Sequence, residues 1–302
     1  MFGKFDVVTF GSAVVDIFID TDTAEKKGML CYTAGSKILI NNFRYETGGG
    51  ATNTAVAFAR LGLKTGCISK VGNETGGLRI INQLKKEKVK FLGTQEKKPT
   101  TGFSIILDSK QHNRTILTYK GANDNISSND IRWFKTKWLY LSSQLGKSFE
   151  TQIQIAKKHK EKGAKIAFNP SAYLIKQKNL KNILKITDVL ILNKEEAGLL
   201  TKNAKENEVL KALTKLGPQI VVMTNGPKEI SCLANNKKYS LIPNKVKVVE
   251  ATGAGDAFAS GFVAGLIVSK PIMQCLKLGL RESEAVLRHF GAKNNLLRMK
   301  LK

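Results

Sequence analysis

The chain has 302 residues and is 42% hydrophobic and 7% aromatic, with 26 Gly and 6 Pro, which excludes a disordered or collagen-like chain. Lys and Arg number 49 against 24 Asp and Glu, so the formal net charge is +25. Its longest apolar stretches fall far short of the roughly 20 residues that cross a bilayer, and its N-terminus lacks the pattern of a secretory signal, so we expect a soluble, cytoplasmic protein with no membrane contact.

The first part of the sequence alternates strand-like and helix-like patterns. A run of apolar residues at 6–10 predicts a strand, and residues 51–61 predict a helix that ends at Gly62. Residues 66–71 then predict a second strand, and the periodicity over about residues 78–88 predicts a second helix. This order is typical of crossover units in a parallel sheet.

Two segments interrupt this alternation. Residues 29–43 and 101–119, the second with a central polar turn at 109–113, have the pattern of antiparallel ribbons. We predict that they form a small β lid, inserted in the main fold at about residues 20–46 and 98–120.

The second half of the chain repeats the crossover pattern, because apolar residues at helical spacing twice precede a strand-like run. No linker rich in Pro, Gly or Ser divides the chain. We therefore predict one α/β domain over residues 1–302, with a mostly parallel sheet and the lid as an appendage. The two helical faces are Phe149, Ile153 and Ala156, and Val209, Leu213 and Leu216, and the strands that follow them are residues 165–168 and 220–224.

A glycine-rich segment, residues 248–258, joins a strand-like run to a predicted apolar helix at 258–268. Its small residues allow the backbone N–H groups of Gly253, Ala254 and Gly255 to converge at a helix N-terminus. Unpaired donors and the helix dipole both favour a phosphate at such a place. The segment therefore predicts a hole for an anion.

Asp256 follows these three residues, in the first turn of the helix, and two interpretations compete for it. One is that it complements the helix dipole, which contributes about 0.3 to 1 kcal/mol. The other is that a carboxylate beside phosphate-binding amides takes the proton of a hydroxyl while that hydroxyl attacks phosphorus. We favour the second interpretation and predict that Asp256 is a general base.

A second glycine-rich segment occupies residues 47–62. Gly48 and Gly49 allow a polyhydroxyl ligand to approach the backbone, and the Asn53 amide can both donate to hydroxyl groups and accept from them. Taken alone, the segment is more typical of a tight turn between a strand and a helix than of a ligand site.

The two common nucleotide motifs are missing from the sequence, because it contains neither G-x-x-x-x-G-K-[ST] nor a G-x-G-x-x-G after the first strand. Residues 252–258, Thr-Gly-Ala-Gly-Asp-Ala-Phe, followed by Gly261 and Gly265, instead resemble the C-terminal signature of the ribokinase family, also called PfkB-type carbohydrate kinases. Residues 47–62 resemble its N-terminal signature, in which glycines and an asparagine open a helix beside the sugar.

This resemblance extends over nearly the whole chain and implies a three-layer α/β/α sandwich with a small β lid. It also implies in-line transfer of the γ-phosphoryl group of ATP to a hydroxymethyl group of a small sugar. Asp256 would be the base, and the predicted anion hole would hold the transferred group. Exposed lids of this family often pair, so the resemblance further implies a homodimer through the lid.

Further residues match the family in order along the chain. Asp16 ends the opening strand motif, where the family accepts hydrogen bonds from substrate hydroxyls. Asn193 and Glu196 resemble its N-x-x-E motif, which organises phosphate and hydrated Mg²⁺, with Glu196 acting through water. Taken alone, such residues are ordinary starts of a helix. Thr224 and Gly226 resemble its nucleotide-contacting loop.

Three positions depart from the family pattern. Glu250 stands where relatives commonly have an aspartate, in a neighbourhood that helps to hold potassium in many of them. The resemblance thus implies ATP and Mg²⁺, and it leaves K⁺ open, with Glu250 as its candidate ligand. Gly50 replaces the lysine that is frequent in ribokinases proper, and Gln144 stands where an acidic residue is expected near ribose. The pattern therefore does not specify ribose as the acceptor.

Two alternatives to a sugar kinase remain open at this point. A nucleoside kinase on the same scaffold would use aromatic lid residues to stack a base, and Tyr32, Phe43 and Phe103 are candidates. A nucleic-acid-binding protein is the distant alternative, since ten lysines stand against two glutamates between Lys147 and Lys185. Lysine dominates without a recognisable nucleic-acid module, which favours a solvated surface whose positive field attracts anionic ligands.

Overall fold

The computed structural model describes residues 4–21, 23–110, 114–202, 205 and 208–301. A nine-stranded sheet forms the centre of this described part. Its strands, from one edge to the other, are β15 (Lys237–Leu241), β14 (Ile230–Ala234), β13 (Ile220–Thr224), β12 (Val189–Asn193), β11 (Lys165–Asn169), β10 (Thr136–Ser142), β1 (Phe5–Phe10), β4 (Thr65–Ile68) and β6 (Lys90–Phe91).

The strands from β13 to β6 in this order are parallel, and β14 and β15 complete the edge as antiparallel strands. β1 pairs with β10 on one side and with β4 on the other, and all six of its residues are buried. Such continuous burial is typical of a parallel strand that is covered by helices on both faces. The prediction of an α/β fold with a mostly parallel sheet is confirmed.

Helices cover both faces of the sheet. On one face Val8 belongs to the hydrophobic cluster that contains Phe149 of α3, and on the other Val7 packs with Phe58 of α1 and Phe262 of α8. The alternation of side chains along β1 thus divides the core into two layers. The helices are α1 (Gly50–Arg60), α2 (Thr75–Lys86), α3 (Gly146–Glu161), α4 (Ala172–Gln177), α5 (Lys181–Leu184), α6 (Lys194–Thr201), α7 (Val209–Thr214), α8 (Ala254–Ile267) and α9 (Ile272–Leu287).

A second sheet has the strand order β3 (Asn42–Gly48), β2 (Val14–Asp20), β8 (Gly102–Asp108) and β9 (Arg114–Tyr119). The pair β8 and β9 confirms the ribbon predicted at 101–119, although residues 111–113 of its predicted turn lie outside the described residues. The ribbon predicted at 29–43 is wrong. Most of that segment is irregular and exposed, and β3 begins only at Asn42, because it pairs with β2 rather than with its own neighbours in sequence.

Three boundaries also differ from the sequence prediction. The strand predicted at 66–71 divides into β4 in the main sheet and β5 (Lys70–Gly72), which pairs with β7 (Thr94–Glu96) in a small separate sheet. The predicted helix at 78–88 begins earlier, because Glu74 caps it by accepting a hydrogen bond from the backbone N–H of Gly77. The predicted helix at 258–268 begins at Ala254, so Asp256 lies within it.

In the part of the chain that the structure describes, no helix is both long and apolar enough to cross a membrane.

Candidate active site

The predicted site residues lie around the carboxyl ends of the strands of the main sheet, where ligands bind in open α/β folds. A cavity of about 200 Å³ opens there at the ends of β1, β10 and β11. The start of α8 borders it on one side and the start of α6 on the other. Among the residues that line it are Ser12, Gly50, Ser142, Asn169, Glu196 and Asp256.

Gly253 sets the start of α8 beside this cavity. It is the N-cap of the helix and has a left-handed backbone with φ of 81°, which favours glycine. A Cβ atom at this position would overlap Ala292. Only glycine therefore allows α8 to begin here, with its dipole directed at the cavity edge.

Asp256 is the third residue of α8 and is partly exposed to the cavity. Its Oδ2 accepts a hydrogen bond of 2.8 Å from Nδ2 of Asn53 in α1. Burial raises the pKa of Asp256 to about 6, and the bond from Asn53 and the charge of Lys293 oppose that rise. The carboxyl group is therefore held in one orientation and titrates near neutral pH, as a general base requires.

Asp16 of β2 contacts the glycine-rich segment at residues 47–62. Its carboxylate lies so close to Gly48 that a Cβ atom there would overlap Oδ2. Burial raises the pKa of Asp16, whereas the charge of Lys293 and a hydrogen bond with Ser104 lower it. The structure thus brings the second sheet, through Asp16, to the same site as Asp256.

Gly49 and Asn53 complete this part of the site. Gly49 caps α1 with φ of 99°, and a Cβ atom on it would overlap the carbonyl oxygen of Ser12. Oδ1 of Asn53 is buried and has no hydrogen-bond partner among the described residues. Since an unpaired buried acceptor is costly, a ligand hydroxyl would be a favourable partner for it.

Lys293 is a site residue that no sequence pattern indicated. Its side chain is buried, and Nζ donates to the carbonyl oxygen of Thr47 at 2.6 Å. Burial lowers the pKa of Lys293, while the carboxylates of Asp16 and Asp256 favour its charged form. The ammonium group of Lys293 therefore stabilises the charges of Asp16 and Asp256, and it holds the backbone of Thr47, the residue before Gly48, by a hydrogen bond.

A larger cavity of about 660 Å³ lies on the other side of the α8 N-terminus. Thr224 and Gly226, predicted to contact nucleotide, line it together with Ala254, Gly255 and the apolar side chain of Phe258. Ala254 and Gly255 of the predicted anion hole line this larger cavity, and the next residue, Asp256, lines the smaller one. The start of α8 therefore contributes residues to both cavities.

Asn193 and Glu196 bond to each other at the start of α6. Oδ1 of Asn193 accepts from the N–H of Glu196 at 2.9 Å, and Oε2 of Glu196 accepts from the N–H of Asn193 at 2.8 Å. This capping box stabilises the helix and fixes the Glu196 carboxylate at the cavity wall. Burial raises the pKa of Glu196.

Glu196 fits a hydrated Mg²⁺ ion. Its carboxylate is a hard oxygen ligand that lines the smaller cavity, and no group of three His, Cys, Asp or Glu in the described ranges could form a protein cage for a metal. Mg²⁺ keeps several waters and is commonly held by one or two carboxylates and substrate phosphates.

Glu250, the candidate ligand of a monovalent cation, already has a charged partner. Its carboxylate is buried and already forms an ion pair with Arg114, and Oε1 also accepts from the N–H of Thr252 at 2.6 Å. The negative charge of this carboxylate is thus matched by a side chain of the protein.

The chain matches the family described as pfkB family carbohydrate kinase over residues 4–298. It is 27% identical to the ribokinase of Bacillus subtilis over 301 residues, which cover 96% of each chain. The adenosine kinase of Sinorhizobium meliloti has a similar structure, with a TM-score of 0.83, 19% identity and coverage of 97% of this chain and 98% of that one.

The ribokinase of Arabidopsis thaliana, solved with ribose and ATP, gives a TM-score of 0.81 at 21% identity and covers 98% of this chain and 96% of its own. These similarities confirm the predicted three-layer ribokinase-like fold.

Proposed function

The chain belongs to the pfkB family of carbohydrate kinases and is a phosphotransferase with an alcohol group as acceptor, and we propose that it transfers the γ-phosphoryl group of ATP to a hydroxymethyl group of a small sugar. The observation that carries this proposal is the position of Asp256. Its carboxylate, with a pKa raised to about 6, lies in the first turn of α8 and lines a cavity of about 200 Å³.

In this mechanism Asp256 removes the proton of the acceptor hydroxyl as its oxygen attacks the γ-phosphorus. The N–H groups of Gly253, Ala254 and Gly255 stabilise the charge that develops on the transferred group. Asn53 holds the carboxylate of Asp256 by the 2.8 Å hydrogen bond. Mg²⁺, held through water by Glu196, would neutralise phosphate charge when bound.

The nucleotide occupies the larger cavity in this proposal. Its apolar wall suits a base, and Thr224 and Gly226 line it near the end of β13. Asn193 keeps Glu196 in place at the wall of the smaller cavity through their reciprocal hydrogen bonds. The phosphates would then reach the start of α8.

The acceptor binds between the main sheet and the second sheet, with Asp16, Gly48, Gly49 and Asn53 contacting its hydroxyl groups. The second sheet is the lid of a single kinase domain over residues 1–302. Its exposed apolar side chains support a homodimer formed through the lid, and they include Phe43, Ile116 and Leu117, each more than half exposed.

A nucleoside kinase is the second candidate. The adenosine kinase of Sinorhizobium meliloti shares the fold over nearly the whole chain. Phe103 of β8 packs against Tyr119 of β9, with ring centroids 5.3 Å apart, so the second sheet carries an aromatic pair. Such rings can stack on a base. The identity of the acceptor, rather than the reaction, separates the two candidates.

An ATP-consumption screen tests the proposal. The purified protein is incubated with ATP, Mg²⁺ and one of ribose, fructose, fructose phosphates, ketodeoxygluconate, adenosine or cytidine. We expect ADP formation that depends on one class of sugar. Turnover with nucleosides alone would support the second candidate, and no acceptor-dependent turnover with any compound would contradict both.

The pH profile should reflect the raised pKa of Asp256. Because the base acts in its deprotonated form, kcat/KM is expected to fall as the pH decreases through about 6, approaching tenfold per pH unit. Asp16, whose pKa is also raised by burial, would steepen that fall. The measurement is kcat/KM between about pH 5 and 9 with the coupling enzymes in excess. A value that stays constant down to about pH 5 would contradict a base with this pKa.

A further inference from the structure

Arg114 links the second sheet to the loop that precedes α8. It is the first residue of β9, and its Nε donates to Oδ1 of Asp108 on β8 at 3.1 Å. Its Nη1 donates to Oε1 of Glu250, which lies far along the chain and is 1% exposed. The ion pair is thus partly buried and joins two parts of the fold.

Glu250 transmits this contact to the anion hole. The same Oε1 atom accepts from the N–H of Thr252 at 2.6 Å, and Thr252 directly precedes Gly253, the N-cap of α8. The backbone from Glu250 to Gly253 is therefore shaped around a carboxylate oxygen that Arg114 also holds.

Removing the guanidinium group of Arg114 would disturb this arrangement. A buried carboxylate that loses its ion-pair partner is strongly destabilised, so the Glu250 side chain would move toward water. Oε1 would then no longer be held in place to accept from the N–H of Thr252. The N–H groups of Ala254 and Gly255 would then lose the fixed position that an anion hole needs.

We propose that Arg114 is a positioning residue for the loop from Glu250 to Gly253, which precedes the anion hole. Its guanidinium group supplies a fixed positive charge there, so that the enzyme needs no monovalent cation at Glu250. This rests on the proposed kinase function, in which the loop holds the transferred phosphoryl group. It also connects the lid to the site of transfer, because the guanidinium group is carried by a lid strand.

Three variants test the proposal. Arg114→Gln removes the charge and Arg114→Lys keeps it. Arg79→Gln is the matched control, because Arg79 also contacts the second sheet, through the carbonyl oxygen of Tyr45 at 3.0 Å, but not Glu250. We expect Arg114→Gln to lower kcat about 10-fold with a smaller change in KM for the acceptor. Arg114→Lys should recover most of the loss, and Arg79→Gln should match the wild type.

Two readouts do not require turnover. Arg114→Gln should weaken ADP binding in calorimetry by about 10-fold and speed the hydrogen exchange of the backbone amides from Thr252 to Gly255. Replacing tetramethylammonium chloride by potassium chloride at equal ionic strength should leave the ADP affinity of the wild type unchanged within about twofold. The ADP affinities and the hydrogen exchange can be measured even if no acceptor is found. Failure of the proposed function is therefore distinguishable from failure of this proposal.

Two results would overturn the role of Arg114. The first is an Arg114→Gln variant whose ADP affinity and hydrogen exchange equal those of Arg79→Gln. The second is a wild-type protein whose ADP affinity rises more than about fivefold in potassium. Oε2 of Glu250, which has no hydrogen-bond partner among the described residues, would then be the expected ligand of that ion.

Discussion

Replacing Asp256 by asparagine is expected to lower kcat by about 10² to 10⁴-fold while ATP affinity changes little. Asparagine has the same shape, and its carbonyl oxygen can still accept the hydrogen bond that Asn53 Nδ2 now donates to Asp256 at 2.8 Å. The variant therefore loses the basic oxygen but keeps the local packing. The measurements are kcat at saturating acceptor and ATP affinity by calorimetry.

The alternative for Asp256, a simple complement to the helix dipole, makes a different prediction. Glu195→Gln is a matched control, because Glu195 is an exposed acid in the first turn of α6. If the dipole were the whole effect, both substitutions would cost about 0.3 to 1 kcal/mol of stability and leave kcat unchanged. An Asp256→Asn protein with the turnover of Glu195→Gln would remove Asp256 from the role of base.

The sequence was sufficient to predict elements whose pattern is set by burial. The predicted strand at 220–224 coincides with β13, and the helix predicted at 51–61 differs from α1 by one residue at each end. The ribbon at 29–43 failed for a physical reason. Its apolar residues, such as Leu39 at 85% exposed, face solvent, whereas β3 has mostly polar residues and forms because β2 offers a partner edge.

The candidate site could be predicted only in part. Asp16, Asn53 and Asp256 stand in short motifs with glycines, so their residue types and local spacing indicated a ligand. Lys293 and Arg114 have no such pattern. Their contacts with Thr47 and Glu250 join positions 246 and 136 residues apart, and only the folded chain brings them together.

Lys293 and Arg114 have the same electrostatic role, because each places a positive side chain near carboxylates of the site. Lys293 contacts the glycine-rich segment at residues 47–62 and compensates the charges of Asp16 and Asp256, and Arg114 compensates the charge of Glu250 in the segment at residues 248–258. Without these positive charges the carboxylates would lie without an ionic partner in a site of low dielectric, which is strongly unfavourable. The protein can therefore keep acidic groups around a site for anionic phosphates without relying on bound ions alone.

Replacing Gly253 by alanine is expected to lower kcat by about 10² to 10³-fold, as the loss of an oxyanion-hole donor does in other enzymes. Gly253 has φ of 81°, which an alanine adopts at a cost, and the new Cβ atom would overlap Ala292. The start of α8 must then shift, and the N–H groups of Ala254 and Gly255 move away from the transferred group. The measurements are kcat and the melting temperature.

Gly163→Ala is the matched control for this substitution. Gly163 has φ of 82°, and a Cβ atom there would have no heavy atom within 4 Å. It therefore carries the same backbone strain, about 1 to 2 kcal/mol, without the overlap and far from the site. We expect Gly163→Ala to lower the melting temperature and leave kcat unchanged. If Gly253→Ala lowered the melting temperature equally and retained wild-type kcat, the start of α8 would not act as the anion hole, because its displacement would have no effect on the reaction.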